Sequence, residues 1–515
     1  MDEVYGSREN TTSSVTARQL PRIGEVESGE KSSYINKKYN RLLNFNLKGE
    51  FLMNYNGKKA ENVKIAYIGG GSRGWAWGLM SDLALAEDMS GEVYLYDIDF
   101  EAAYHNEVIG NKYNDLDDCK SHWNYKAVKT IGEALTGCDF VVISILPATF
   151  DEMESDVHAP EKYGIYQSVG DTSGPGGIVR ALRTIPMMEE IALAVKKYSP
   201  DAWVINYTNP MTVCVKALYN AFPKIKAFGC CHEVFGTQTL LSKALADIRG
   251  IEGAGREDIK INVVGVNHFT WITEAKYKKT DLFDVYREFA EKYHETGYRE
   301  KVDKNWMNNS FACAERVKLD LFRRYGYIAA AGDRHLAEFC PGKWYLESPE
   351  KVREWKFGLT TVAWRKEDLK NRLEKSAKLV SGEMNVEIKP TGEEGVNQMR
   401  ALLGLKDIIT NVNIPNVGQT PNLPLGAVVE TNAAFRSDTL IPVFAGNIPE
   451  EIYPLISRIS GEQELIARAG AERSLDVAFM AFANDPLVTV SAADAKKLFD
   501  EMVNNTKDYL GEYFK

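Results

Sequence analysis

Nothing in the 515-residue chain is apolar for long enough to cross a membrane, since no run of about 18 hydrophobic residues occurs. The opening stretch MDEVYGSRENTTSSVTARQL carries acids where a secretory leader needs bases, and no apolar core follows it. Basic blocks are missing as well. The net charge is −10 and the pI about 5.5, which counts against a nucleic-acid partner. Cysteine is scarce: seven residues, no C-x-x-C pair and no zinc-finger spacing, so neither a disulfide framework nor a structural zinc is expected. These absences point to a cytoplasmic protein with no membrane partner, whose thiols stay reduced. No internal repeat is visible.

What is present is the composition of a globular chain, 44% hydrophobic and 26% charged, long enough to bury large cores. Residues 1–60 are polar and read as an extension, with a short helix near YINKKYNRLL. At Val63 the character changes. VKIAYIGGGSRGWAWGLMSDLALAEDM is a strand, a glycine turn and a helix. GEVYLYDID, CDFVVISI, DAWVINYTNP and KIKAFGCCHE supply further strands, separated by helical patterns. CDFVVISI is almost continuously apolar, as a strand covered on both faces must be. The alternation predicts an α/β fold: a Rossmann-like doubly wound parallel sheet over 61–270. Beyond it, helical stretches such as CAERVKLDLFRRYG and SPEKVREWKFGLTTVAWRKEDLKNRLEKSAKL mix with strands such as LGAVVETNAAF. A mixed α+β C-terminal domain is expected over 271–515, bearing substrate and oligomer contacts.

Four groups of residues fall just past strand ends, where open parallel sheets bind ligands. The turn Gly69-x-Gly71-Ser72-x-Gly74 lies between a strand and a helix, and Asp97 closes the next strand. Such a turn also occurs for purely structural reasons. In this context it suits a pyrophosphate at the helix N-terminus, with the Asp97 carboxylate on a ribose diol. An acid there favours NAD over NADP. Apart from these four, VGDTSGPGGIVRALRTIP, residues 169–186, opens a helix and is either a plain loop or a turn of backbone N–H groups closing over a ligand. Asn209 in NYTNP either starts a turn or offers a donor and an acceptor to a hydroxylated ligand. Cys231 and His232 in FGCCHEVFG, and His268 in VVGVNHFTW, complete the set. A thiolate at 231 and an imidazole at 268 can share one divalent cation with positions left open for oxygen ligands. Singly, each also reads as packing or as a satisfied core residue.

Together IGGGS, GDTSGPGG, NYTNP, GCCHE, GVNH and NVGQTPNLPLGAVVETNA resemble glycoside hydrolase family 4, from about Val63 to about Phe435. RRYGYIAAAGDRHLAEF looks most like its branch acting on α-galacturonides. The resemblance implies NAD, a divalent metal, usually Mn2+, and redox-assisted elimination. The C3 hydride leaves, the C2 proton becomes acidic, the glycosidic bond breaks, water adds and the hydride returns. Such chemistry stands apart from that of the two-carboxylate glycosidases. The resemblance further implies Cys231 and His268 as metal ligands, Asn209 as a substrate contact and position 232 as the acid's place. Some members carry aspartate at 232; this chain has His232. The base falls among Tyr325, Tyr327, Asp333 and His335, with Asp333 and Tyr327 foremost, because CAERVKLDLF lacks the tyrosine of other members. Arg334 is the candidate partner of a substrate carboxylate, or else pairs with Asp333, Glu338 or the cofactor phosphates. The expected activity is hydrolysis of α-linked hexuronides, above all galacturonides, by a homodimer or homotetramer. Related alternatives are α-galactosidase, α-glucosidase or glucuronidase. The rival from another class is an NAD-dependent sugar or 2-hydroxy acid dehydrogenase.

Overall fold

The strand that opens at residue 60 is the hub of a ten-stranded sheet. In the computed structural model, which describes residues 53–298 and 313–515, its neighbours on both sides are parallel to it. Strands are numbered β1 (Asn54–Tyr55), β2 (Ala60–Ile68), β3 (Met89–Tyr96), β4 (Trp123–Val128), β5 (Phe140–Ile143), β6 (Trp203–Asn206) and β7 (Lys226–Gly229). The order β4-β3-β2-β5-β6-β7 is parallel throughout, with the direction of winding reversing between β2 and β5. This is the doubly wound, Rossmann-like order expected from the sequence, and its reversal point is where such folds bind ligands.

Two-sided burial explains why the strand sequences are so apolar. Ala66, Ile68, Val141, Ile143 and Val204 face one core with Ile178, Leu182 and Val213 of the helices Gly174–Tyr198 and Met211–Ala221. Ile65, Tyr67, Phe140, Val142 and Ile205 face the other with Trp77, Met80 and Ala103. Each such aliphatic side chain contributes about 1.5–3 kcal/mol when withdrawn from water.

A second sheet and three further strands follow. β8 (Ile259–Val266) and β9 (Phe269–Tyr277) form an antiparallel hairpin with Val266 opposite Phe269, joined by β10 (Thr280–Asp281) and β11 (Ile328–Ala329). β12 (Ile408–Pro415), β13 (Val428–Arg436) and β14 (Thr439–Pro442) then return to the first sheet. They extend it antiparallel beyond β7, where Asn413 pairs with Gly229. Asn432 Nδ2 on β13 donates to Ile261 O on β8 at 2.7 Å and ties the two sheets together.

Two local expectations are refined. The long stretch from Ser348 forms two helices, Pro349–Glu354 and Val362–Ser381, not one. Lys356 takes a left-handed conformation at φ 60°, and Thr361 caps the second helix through Trp364 N. The polar extension and the helix near YINKKYNRLL lie, through residue 52, outside the described residues. From residue 53 the chain is ordered into the sheet: β1 pairs with β2, and Tyr55 Oη donates to Gly404 O at 3.2 Å. No described helix is long and apolar enough to cross a membrane.

Candidate active site at the carboxyl edge of the sheet

The glycine turn after β2 has almost no free volume. Gly69 has φ 92°, and a methyl group on it would lie 2.0 Å from Ser144 O. A methyl on Gly71 would lie 2.6 Å from Ala102 Cβ and 2.9 Å from Asp97 Oδ2. Gly71 N donates to Asp97 Oδ2 at 2.8 Å, so the carboxylate at the end of β3 is already aimed into the turn. From beneath, Asn106 Nδ2 donates to Gly70 O at 2.7 Å and Ser72 O at 3.0 Å, while its Oδ1 accepts from Trp77 Nε1 at 2.8 Å. Gly74 precedes the helix Trp75–Ala84, whose first N–H groups face the turn's ligand side. Glycines that no Cβ could replace, a helix start and a carboxylate at the end of β3 are the parts a dinucleotide site requires.

A dense polar cluster sits beside it. Cys231 follows β7, and His268 occupies the second position of the β8–β9 turn at φ 63°, a conformation few non-glycine residues adopt. Both are buried. Asn267, the residue before His268, lies close to the Cys231 thiol. Asn267 Nδ2 in turn donates to Glu430 Oε2 at 3.4 Å, and Thr270 Oγ1 donates to the same oxygen at 2.8 Å. Asn411 Nδ2 donates to Glu430 Oε1 at 2.7 Å and to Cys231 O at 3.3 Å. Glu430 on β13 thus holds the β7 end and the hairpin turn in register.

Electrostatics agree with a cation site. Burial, and then Glu430 and Glu233, push the Cys231 thiol well up. Burial and the neighbouring His335 lower His268 to about 3, which keeps its imidazole neutral as a ligand must be. Burial alone would raise Glu233, but His335, His232, His268 and the Gly332 N–H hold it far below the usual carboxylate range. A soft thiol, a neutral imidazole and the ionised Glu233 are donor types that suit a divalent transition metal.

His232 begins the helix Glu233–Arg249, its side chain 32% exposed. Its Nδ1 lies 3.0 Å from Glu393 Oε1, its Nε2 3.8 Å from Glu233 Oε1, and its ring 6.0 Å from Trp75. Burial pulls its pKa down, but Glu393 outweighs that and carries it up to about 9. His335 stacks on His268 at 3.9 Å between ring centroids, with Nε2 3.7 Å from Glu233 Oε1. Arg334, one residue earlier, donates from Nη1 to Thr360 Oγ1, and its backbone oxygen accepts from Ser168 Oγ at 2.5 Å. Asp333 is fully buried; its Oδ1 accepts from Lys318 N at 3.0 Å at the start of the helix Arg316–Tyr325. Burial and Glu315 raise its pKa. Tyr327 packs edge-on to Phe283 at 6.5 Å and, among the described residues, makes no hydrogen bond to the His268 cluster.

The structure therefore gathers Cys231, His232, His268, His335 and Arg334's helix at one edge, next to the turn that holds Gly69, Gly71, Ser72, Gly74 and Asp97. Asn209 joins them through Arg180, whose Nε donates to Asn209 O at 3.2 Å. Asn209 Oδ1, Arg180 Nη1, Asn267 Oδ1 and His335 Nδ1 are buried with no hydrogen-bond partner among the described residues. Buried polar atoms are almost always paired, so each of the four is free to meet a polar ligand. Sequence reading missed Glu233, Glu393, Glu430, Arg180 and Asp171. Asp171 and Arg180 stood inside the glycine-proline loop already marked as a ligand turn; Glu430 looked like an ordinary strand residue.

The model of the family 4 glycosyl hydrolases matches residues 64–247, and the model of that family's C-terminal domain matches residues 263–488. The α-galacturonidase of Thermoanaerobacterium saccharolyticum is 65% identical over 458 residues, 89% of this chain and 98% of the relative. That of Bacillus subtilis is 52% identical over 443 residues, 86% of this chain and 97% of the relative. A Bacillus subtilis crystal structure described as a glucosidase superposes with a TM-score of 0.82 at 52% identity, covering 86% of this chain and all of its own. The 6-phospho-β-glucosidase of Thermotoga maritima, solved with manganese, NAD+ and glucose-6-phosphate, shares the fold at a TM-score of 0.68 and 23% identity, over 87% of this chain and 99% of its own.

Proposed function

The chain belongs to family 4 of the glycosyl hydrolases, and from that premise we propose that it hydrolyses α-linked galacturonides with NAD and a divalent metal such as Mn2+. One observation carries the substrate: relatives named α-galacturonidase are 52–65% identical over 86–89% of this chain, whereas an α-galactosidase of Bacillus subtilis is 28% identical.

Gly69, Gly71, Ser72 and Gly74 would hold the cofactor pyrophosphate and Asp97 its ribose; Cys231 and His268 would hold the metal. When bound, the two supply reversible oxidation at C3 and Lewis-acid polarisation, which acidify the C2 proton. The protein's own residues do the rest. Asn209 offers an amide to the sugar hydroxyls beside the buried Arg180. Arg334 supplies a guanidinium that matches a carboxylate with two parallel N–H donors, one residue before the His335 ring that stacks on His268. His232 is the acid: Glu393 takes its Nδ1 side, which leaves Nε2 to protonate the departing oxygen. Asp333 is the base for the C2 proton, its Oδ2 buried and without a hydrogen-bond partner among the described residues, with Tyr327 as the second candidate. Reduced cysteines, all seven of them free, favour the cytoplasm. Exposed Val417, Leu425 and Phe444 favour a homodimer or homotetramer.

The test is hydrolysis of p-nitrophenyl α-galacturonide with NAD+, Mn2+ and a reducing thiol, followed also at 340 nm. We expect product release without NADH accumulation, loss of activity after chelation or removal of NAD, and little turnover of the matching galactoside. Equal rates on both sugars would remove the uronide reading. Steady NADH production would make the protein a dehydrogenase.

A further inference from the structure

The loop before the helix Gly174–Tyr198 carries a hydrogen-bond chain that none of these roles uses. Thr172 is buried; its Oγ1 donates to Asp171 Oδ1 at 2.8 Å and lies 3.1 Å from His268 Nδ1. A hydroxyl has one proton. The Asp171 oxygen is the acceptor of this bond, so the single Thr172 proton is spent on it. With the Thr172 proton directed to Asp171, the contact to His268 must be an imidazole Nδ1–H donating to Thr172 Oγ1. The lone pair then belongs to Nε2. No other hydrogen bond reaches the His268 ring among the described residues, so this contact alone selects the tautomer. The stacked His335 and the left-handed backbone at φ 63° fix the ring's plane without choosing between its nitrogens.

We propose that Asp171 and Thr172 are positioning residues that hold His268 in its Nδ1–H tautomer and thereby present Nε2 to the divalent cation. The inference rests on the reading of His268 as a ligand. Its physical content is that a neutral histidine side chain left to itself favours the opposite tautomer, so a site without Thr172 would meet the metal mostly with a protonated Nε2. Oriented partners behind a ligating histidine are worth about 10–100-fold in metal affinity.

Two measurements on the full chain test it. Mn2+ alone is titrated and its free signal followed by electron paramagnetic resonance. Thr172→Val should bind about 10–100-fold more weakly than the wild type, and Thr172→Ser, which keeps the hydroxyl, within about threefold. Independently, long-range proton–nitrogen correlation spectra of 15N-histidine-labelled, metal-free protein report the protonated nitrogen, with the His268 signal assigned by its loss in His268→Gln. Wild type should show Nδ1–H, and Thr172→Val a shift towards Nε2–H. A wild-type His268 protonated on Nε2, or Mn2+ affinity unchanged in Thr172→Val, overturns the proposal. If Thr172→Val does not fold, the wild-type spectrum and the Thr172→Ser affinity decide. A wild type that binds no Mn2+ would sink the metal reading instead, and the tautomer spectrum would still judge Thr172.

Discussion

Gly71 lies where three demands meet: a strand-to-helix turn, a carboxylate on the next strand and the approach of a ligand. A methyl group there must displace Asp97 or Ala102, since neither leaves 3 Å. Gly71→Ala should therefore weaken NAD binding at least tenfold and destabilise the fold by about 1–3 kcal/mol, the usual cost of overpacking. Cofactor titration by fluorescence and a thermal melt would check both; an unchanged Kd and Tm would mean that the turn is looser than it looks. Cys231 makes a different kind of prediction. Its buried thiol is held protonated by burial and by Glu430 and Glu233, so only a bound cation can draw it into the thiolate form. Cys231→Ser should lose most Mn2+-dependent activity while melting close to wild type, because the hydroxyl fills the same space and ligates poorly. Retained activity at ordinary Mn2+ concentrations would remove Cys231 from the donor set.

Asp139 shows how one element's start is fixed by another. It stands just before β5, and its Oδ2 accepts from Lys64 N of β2 at 2.8 Å while its own N–H donates to Lys64 O at 2.8 Å. Burial raises its pKa to about 6, against the opposing pull of the Lys64 N–H and charge. A folded-state pKa above the unfolded 3.8 means that the native state prefers the proton, so the penalty for the charged form is present at neutral pH and fades as pH falls through 6 towards 3.8. Asp139→Asn, whose amide oxygen can take the same hydrogen bond, should be more stable than wild type by about 1–3 kcal/mol at pH 8. That advantage should shrink by pH 5; urea unfolding at the two pH values would reveal a constant difference if the charge is irrelevant. Elements of this kind were the most legible in the sequence. CDFVVISI and KIAYI declared themselves as buried parallel strands, and the glycine turn between KIAYI and its helix was equally legible, because local pattern and spacing suffice for both. Glu430 was not legible: its meaning comes from Asn267, Thr270 and Asn411, brought together only by the return of β12 and β13 to the first sheet. Thr172 was hidden for the same reason, since its partner His268 lies on the distant β8–β9 hairpin. The break at Lys356 escaped because the helical periodicity on either side is continuous in register.

At the scale of the whole molecule, the α-galacturonidases use 97–99% of their own length to match 86–89% of this chain, so roughly a tenth of it has no counterpart in them. A chain beginning at residue 53 should fold and turn over galacturonide within about twofold of full length, since residues 1–52 are polar in composition and supply none of the candidate site residues. Starting instead at residue 60 removes β1 and the Tyr55–Gly404 bond and should lower Tm measurably. Equal melting of the two truncations would show that β1 adds nothing. The antiparallel return of β12 beside β7 has a consequence in time. Cys231 O waits for the Asn411 amide, 180 residues further along. At a synthesis rate of roughly 5–20 residues per second, about 10–40 s pass between translation of the two. Throughout that interval the nascent chain owns a finished glycine turn and a bare sheet edge, with the thiol at its end unshielded. The ribosome thus releases Cys231 before it makes the strands that pack over it.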